Sequence, residues 1–226
     1  MTSTDPHQNR PVVISLCDLT GNFTKPWQEA GYDVILVDPQ HGESSTTRLD
    51  NGAKVTRLAL TVEQAMGYLS VVFQQREIAF VAGWPVCTDM AVSGARWFES
   101  KRAADPHFQT KAVMLAEQCR TIGRLSGAPY LVENPVSILS SVFGKPDHTF
   151  NPSDFTGHEA GDNYTKRTCL WVGNGFVMPE PKRDETLGAP DNRIHFASPG
   201  PERANFRSAT PMGFARAVFL ANQNGA

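Results

Sequence analysis

The stretch Val12–Asp38, VVISLCDLTGNFTKPWQEAGYDVILVD, decides the fold. Val12 to Leu16 form a β-rich apolar run that stops at Asp18 and a turn marked by Gly21 and Asn22, which predicts a strand covered on both faces. KPWQEAGY then predicts a short helix with Pro26 near its start, and Val34 to Val37 a second strand closing on Asp38. Two buried strands joined through a helix are the unit of a parallel sheet.

The same alternation continues outward. TVEQAMGYLSVVFQQ predicts a helix with Thr61 as N-cap, EIAFVAGW a strand, HFQTKAVMLAEQCRTIGRLSG a long helix closed by Gly127, PYLVENP and TCLWV two more strands, and TPMGFARAVFLAN a last helix begun by Thr210 and Pro211. The expectation is an α/β fold, a mostly parallel sheet with helices on both faces. Ligands of such sheets bind at the carboxyl ends of the strands, and Asp18, Asp38, Cys87 and Glu133 are all expected on that edge.

A chain of 226 residues with 40% hydrophobic content can bury one sizeable core, and residues 1–226 are read as one domain. Lys and Arg number 21 against 23 acidic residues, so any nucleic-acid groove must be a local patch rather than a global basic bias. Cys17, Cys87, Cys119 and Cys169 are scattered, with no CxxC pair and no zinc-finger spacing, which fits a reducing cytoplasm. MTSTDPHQNRP is polar and reads as a short flexible lead-in, and no run approaches the length of a membrane span.

Alone, Asp18 or Asp38 would be read as a helix cap. At successive strand ends they look like a nucleoside-cofactor site: a turn that approaches the ligand, then an acid that accepts ribose hydroxyls. DLTGNFT has one glycine and no GxGxxG, which favours a cofactor without a pyrophosphate. Cys87 stands in a loop behind Gly83 and Pro85 rather than inside a strand, so its position argues for chemistry. Glu133 and Asn134 follow an apolar strand, with Pro135 fixing the turn. A thiol and an acid facing one cavity make a pair for covalent catalysis, one to bond and one to manage protons. His148, Asp154, His158, Glu159 and Asp162 match no compact metal spacing; their Gly, Pro and Asn content predicts an exposed loop, and no metal is expected. PEPKRDETLGAP reads as a solvated loop.

In this order, SLCDLTG, VILVD, GWPVCT, YLVENP, YTKRTCLW and SATPMGFARAV resemble the cytosine-5 DNA methyltransferases, particularly small versions common in phage and prophage genomes. The resemblance runs from about Val12 to Asn222. It implies a Rossmann-like S-adenosylmethionine-dependent methyltransferase fold, with Asp18, Leu19, Thr20, Gly21, Phe23, Asp38, Pro85, Thr210 and Pro211 around S-adenosyl-L-methionine. It implies Cys87 as nucleophile, Glu133 gripping the target base, Asn134 and Pro135 shaping that grip, and Arg167, with Lys166 beside it, near the base and the glutamate. The loop Thr88 to Phe98 is implied to close over a flipped base, with Ser93, Arg96 or Trp97 filling the vacancy in double-stranded DNA; the competing expectation for GARWF is a helix start with Trp97 in the core.

The chain departs from the family's pattern in four places. DLTGNFT is shorter than the usual first motif, leaving Phe23 or Trp27 to supply its aromatic wall. A valine separates Pro85 from Cys87. Thr165 stands where the basic motif has its earlier arginine. Residues 174–209 are short where relatives house a target-recognition domain, which implies a short, dinucleotide-like site read by one or two loops carrying Lys182, Arg183, Arg193, Arg203 and Arg207. The expected enzyme is a cytoplasmic monomer. The alternatives are the same chemistry on RNA or a free pyrimidine nucleotide, and a non-catalytic accessory protein that binds cofactor or DNA; retention of both Cys87 and Glu133 argues against the latter.

Overall fold

The computed structural model describes residues 10–196 and 207–223, so residues 1–9 of the N-terminal lead-in and residues 197–206 of the 174–209 segment, Arg203 among them, lie outside the described residues. Eight strands make one sheet: β1 (Val12–Leu16), β2 (Asp33–Val37), β3 (Ser45–Arg48), β4 (Lys54–Leu58), β5 (Ile78–Gly83), β6 (Tyr130–Pro135), β7 (His148–Phe150) and β8 (Thr168–Gly173). Their order is β3-β4-β2-β1-β5-β6-β8-β7.

The expectation of a mostly parallel sheet needs correction, because the sheet is mixed. Strands β4, β2, β1, β5 and β6 run parallel, whereas β3 pairs antiparallel with β4, and β8 antiparallel with both β6 and β7. A parallel neighbour needs a crossover long enough to cover the sheet. After β6, residues 136–167 hold the short helix Leu139–Val142, the edge strand β7 and two 3-10 turns but no helix long enough for a crossover, so β8 enters reversed. The β3–β4 hairpin went unpredicted although Asp50-Asn51-Gly52 is a hairpin signal; Gly52 has φ +85°, and Asn51 Oδ1 accepts from Ala53 N.

Helices α1 (Lys25–Glu29), α2 (Val62–Gln75), α3 (Phe98–Ala104) and α4 (Phe108–Ser126) and the last helix, Met212–Asn222, accompany the sheet. Successive strand residues face opposite sides, and both sides are buried. Val13, Leu36, Phe80 and Leu131 pack with Trp27 of α1 and Phe214 and Val218 of the last helix. Val12, Ile14, Val37, Val81 and Val132 pack with Val62 and Leu69 of α2 and Cys119 and Ile122 of α4. Thr61 caps α2 as expected, in a reciprocal box with Gln64.

The segment from His148 to Asp162 is not the exposed loop its composition suggested. It supplies β7, and Phe150 stacks on Phe214 at 3.9 Å between ring centroids, with Phe155 tilted against both. Asp154 bonds Asn151 N, Glu159 pairs with Arg216, and Asp162 Oδ2 accepts from Gly213 N at 2.7 Å. The last helix, whose N-cap position is Pro211, is therefore capped by Asp162 from a distant turn. A Cβ at Gly213 would meet Phe155 O at 2.6 Å, which explains the glycine there. Among the described residues no group of His, Cys, Asp or Glu is placed to hold a metal ion, and no helix is long and apolar enough to cross a membrane.

The chain builds outward from β1 through β2 to β4, then returns to add β5 and β6 on the other side. The order reverses between β1 and β5, and the crevice at their carboxyl ends is where such sheets bind ligands.

Candidate active site

Four sequence-selected segments meet at this edge. The turn after β1 is organised by Asp18, whose Oδ2 accepts from Ser15 Oγ at 2.7 Å and whose Oδ1 accepts from Gly21 N at 2.7 Å and Thr20 Oγ1 at 3.2 Å. Burial pushes the Asp18 carboxyl up against these bonds. Trp84 Nε1, at the end of β5, donates to Ser15 Oγ at 2.9 Å and ties the two strand ends together. With its oxygens engaged inside the chain, Asp18 shapes the turn rather than reaching a ligand. Gly21 takes φ +66°, and a Cβ there would meet Leu36 Cδ1 at 2.9 Å. Thr20 is exposed and Leu19 half-buried.

Asp38 follows β2 and is buried; its Oδ1 accepts from Gln40 N at 2.8 Å, and among the described residues no other donor reaches it. The capping role is thus real and leaves Oδ2 available to a second donor. In the same turn His41 Nε2 is buried without a hydrogen-bond partner, and burial holds the imidazole down despite the pull of the Asp38 and Asp18 charges. Phe23 is fully buried between Phe80 and Trp84, with centroids at 5.6 and 5.2 Å, and Trp27 is fully buried as well. Neither presents an open aromatic wall, which corrects the role expected of Phe23; both are core residues supporting the turn from below.

Cys87 lies in the loop after β5, half-buried. Its carbonyl accepts from Met90 N and Ala91 N, and the loop is fastened to the segment after β6 through Val92 N to Val136 O at 3.0 Å and Ile138 N to Met90 O at 3.1 Å. Asn134 Nδ2 donates to Pro85 O at 3.0 Å in a buried bond. Asn134 is thus the tie that fixes the Pro85-Val86-Cys87 loop against β6, and Pro85 is buried at that junction. Asn134→Ala leaves that carbonyl unsatisfied, at an expected cost of about 1–3 kcal/mol; a urea melt should show a lower midpoint with an unchanged slope.

Glu133 sits within β6, paired with Leu170 of β8. It is 8% exposed, its Oε1 has no hydrogen-bond partner among the described residues, and Lys166 Nζ stands 4.0 Å away. Burial pushes the carboxyl up, opposed by the Lys166 charge. A buried acceptor left unpaired is rare enough to require an explanation, and an incoming donor is the direct one. Trp84, Glu133, Lys166, Thr168, Thr210 and Pro211 line one narrow crevice. Burial pushes the Cys87 thiol up, and the Glu133 charge adds to that shift, while Lys166 and Arg207 act against it. Cys87 itself is not among the residues lining that crevice; its loop is held to β6 beside Glu133 through the Asn134–Pro85 bond.

No protein-family model and no curated protein matches this chain.

The structure separates Arg167 from this group. Residues 166 and 167 face opposite ways: Lys166 joins Glu133, whereas Arg167 is exposed and acts on Cys169 on the other side of β8. The cation expected at position 167 beside the glutamate is supplied by its neighbour. Ser93 and Arg96 lie exposed on the 3-10 helix Val92–Trp97. The helix start expected for GARWF is present, but Trp97 is 55% exposed, with the Arg96 guanidinium 5.1 Å from its ring centroid, so it is not a core residue. Of the expected base readers, Arg193 bonds both oxygens of Asp191, and Arg183 bonds Gly188 O and pairs with Glu185. Arg207, another expected base reader among the described residues, is half-buried.

Proposed function

We propose that the chain is a methyltransferase acting on carbon 5 of cytosine in DNA, at a short sequence, through a covalent cysteine adduct. The observation that carries this reading is the buried Glu133 Oε1, without a hydrogen-bond partner among the described residues and with Lys166 Nζ 4.0 Å away, on the strand whose Asn134 ties down the Cys87 loop. An acid whose carboxyl burial pushes up can donate a proton to ring nitrogen 3 of cytosine, and a thiol on the neighbouring loop can bond carbon 6. The parallel core β4-β2-β1-β5-β6 with its reversal at β1 and β5 supports a Rossmann-like methyltransferase fold.

The residues at the β1 and β2 ends fit S-adenosylmethionine. Asp38 has an oxygen available for a ribose hydroxyl, and His41 carries an orphaned ring nitrogen in the same turn. Asp38 would take the ribose, and the turn Leu19 to Gly21 with Thr210 and Pro211 would border the rest. When bound, the cofactor supplies an electrophilic methyl group to carbon 5. The residues of the chain manage the ring. The sulfur of Cys87 bonds carbon 6, which moves the ring π pair toward carbon 5; Glu133 holds a proton at nitrogen 3 and so takes up the charge that would otherwise accumulate there. Lys166 balances Glu133 when the acid gives up its proton. Loss of the carbon 5 proton to solvent returns that pair to the ring as the carbon 5–carbon 6 double bond, and the sulfur leaves carbon 6 with its own bonding pair as thiolate. Pro85, Asn134 and Pro135 keep the thiol and the acid in register.

Asp38→Ala is expected to weaken S-adenosylmethionine binding by about 1.5–3 kcal/mol, the value of a charge-assisted hydrogen bond. Titration calorimetry reads it, and unchanged affinity would reduce Asp38 to the cap of its turn. The activity itself is tested by incubating DNA with cofactor and protein and analysing the nucleosides: 5-methylcytosine is expected, placed by bisulfite sequencing at a short motif and high density. The internal bonds of Arg183 and Arg193 favour one second reading, the same chemistry on RNA or a free pyrimidine nucleotide, since they leave few side chains to read duplex base edges. Methylation confined to those carriers would select it.

A further inference from the structure

All four cysteines are free, and the fold sorts them. Cys87 lies in the loop after β5, and Cys169 packs with Met90 and Trp171. Cys17 and Cys119 come together on the face of the sheet that α2 and α4 cover: Cys119 is buried on α4, and Cys17, half-buried just past β1, packs against the same cluster. Leu16 is in register with Gly83 of the neighbouring strand, and a Cβ at Gly83 would meet Cys119 Cβ at 2.6 Å and its Sγ at 3.3 Å. The glycine thus lets α4 bring Cys119 down onto the strand ends beside Leu16 and Cys17, where the Cys119 thiol donates a hydrogen bond to the Cys17 sulfur. Cys17 itself takes φ +57°, the left-handed region that is costly for an L side chain. Glycine would adopt it freely, so the side chain at this position needs a reason, and a partner thiol is one.

We propose that Cys17 and Cys119 are an oxidisable dithiol, closing to a disulfide with hydrogen peroxide as oxidant and fastening the end of β1 to α4. Cys17 is the member that solvent reaches. Its thiolate attacks a peroxide oxygen, the oxygen–oxygen bond breaks, and the sulfur becomes a sulfenic acid while the departing hydroxide takes up the thiol proton as water. The Cys119 sulfur then bonds the Cys17 sulfur, the sulfur–oxygen bond breaks, and the second hydroxide leaves with the Cys119 proton as water. Two thiols lose two electrons, and the peroxide gains them. A buried thiol packed against a half-buried one is the resolving partner that keeps the sulfenic acid from going on to the irreversible sulfinic acid. In a reducing compartment such a bond is transient and reports oxidation rather than holding the fold. It would form one residue before Asp18, which organises the turn after β1.

The inference does not depend on the reaction proposed above, and its test needs neither cofactor nor substrate. The reduced full chain is exposed to hydrogen peroxide, quenched with catalase, alkylated with iodoacetamide in denaturant and digested without reductant for mass spectrometry. The Cys17 and Cys119 peptides should be recovered joined, with both thiols lost together and both restored by dithiothreitol. In C119S, Cys17 should stop at the sulfenic acid and take up dimedone; in C17S, Cys119 should remain a thiol, because the packing shields it from the oxidant. The wild-type map stands by itself even if a variant fails to fold. Conversion of Cys17 to the sulfinic acid with Cys119 still open to alkylation, a bond from either residue to Cys87 or Cys169, or a link found only between two chains overturns the proposal.

Discussion

Cys87→Ser is expected to lower methyl transfer by about a thousandfold or more, because a hydroxyl at neutral pH is a far weaker nucleophile than a thiolate and no neighbouring group replaces it. Cofactor binding, measured by calorimetry, should be nearly unchanged, since the β1 turn and Asp38 lie on other strand ends. Serine at Cys17, Cys119 or Cys169 should leave turnover largely intact: Cys119 and Cys169 are buried in the packing around the sheet, and Cys17 takes part in the packing against α2 and α4. Full activity of the Cys87 variant would remove the nucleophile from its assigned position.

The second large effect belongs to Glu133, and it has two signs. Glu133→Gln keeps the shape of the side chain but cannot move a proton to ring nitrogen 3, so turnover should fall by about 10²- to 10³-fold. The same substitution removes the negative charge that helps hold the Cys87 thiol up, so the thiol should ionise at lower pH and react faster with iodoacetamide. A variant slower in turnover and quicker in alkylation separates the proton role of Glu133 from damage to the loop. Slowing of both reactions would mean that the loop itself had moved. The wild type should need Glu133 protonated and Cys87 ionised together, giving a bell-shaped rate against pH; in Glu133→Gln the limb set by Glu133 should disappear.

What was legible in the sequence were features that depend on local pattern. The strands of the sheet centre announce themselves because both faces are covered and their residues run apolar without alternation. The edge of the sheet behaved differently. β3 is exposed along its length and carries Ser45, Thr46, Thr47 and Arg48, with no apolar face to betray it; only the turn at Gly52 signalled the hairpin. The reversed direction of β8 depends on what the intervening chain can cover, a property of the whole connection rather than of TCLWV.

The site divides along the same line. Cys87 and Asp38 were readable because each follows an apolar strand, and strand ends gather at one edge; Glu133, expected just past its strand, lies inside β6, which runs on through Pro135. Lys166 and Arg167 are adjacent in the chain, and which of them turns toward Glu133 is set by the pairing of β8 with β6, a register that composition does not encode. Asn134 tying Pro85 and Asp162 capping the last helix join residues 49 and 51 positions apart, and nothing local to either partner marks such contacts. Phe23 illustrates the opposite error: an aromatic beside a ligand turn looked like a wall for the cofactor, and the fold uses it to fill the space between Phe80 and Trp84.

The central claim is that Cys87 bonds the pyrimidine ring, and one measurement reaches it directly. An oligonucleotide carrying 5-fluorocytosine is incubated with the protein and S-adenosylmethionine, and the product is digested and mapped by mass spectrometry. Fluorine cannot leave carbon 5 as a proton, so the sulfur should remain attached and the adduct should map to Cys87. Absence of any adduct with DNA that the protein methylates, or an adduct on Cys17, Cys119 or Cys169, would contradict the account.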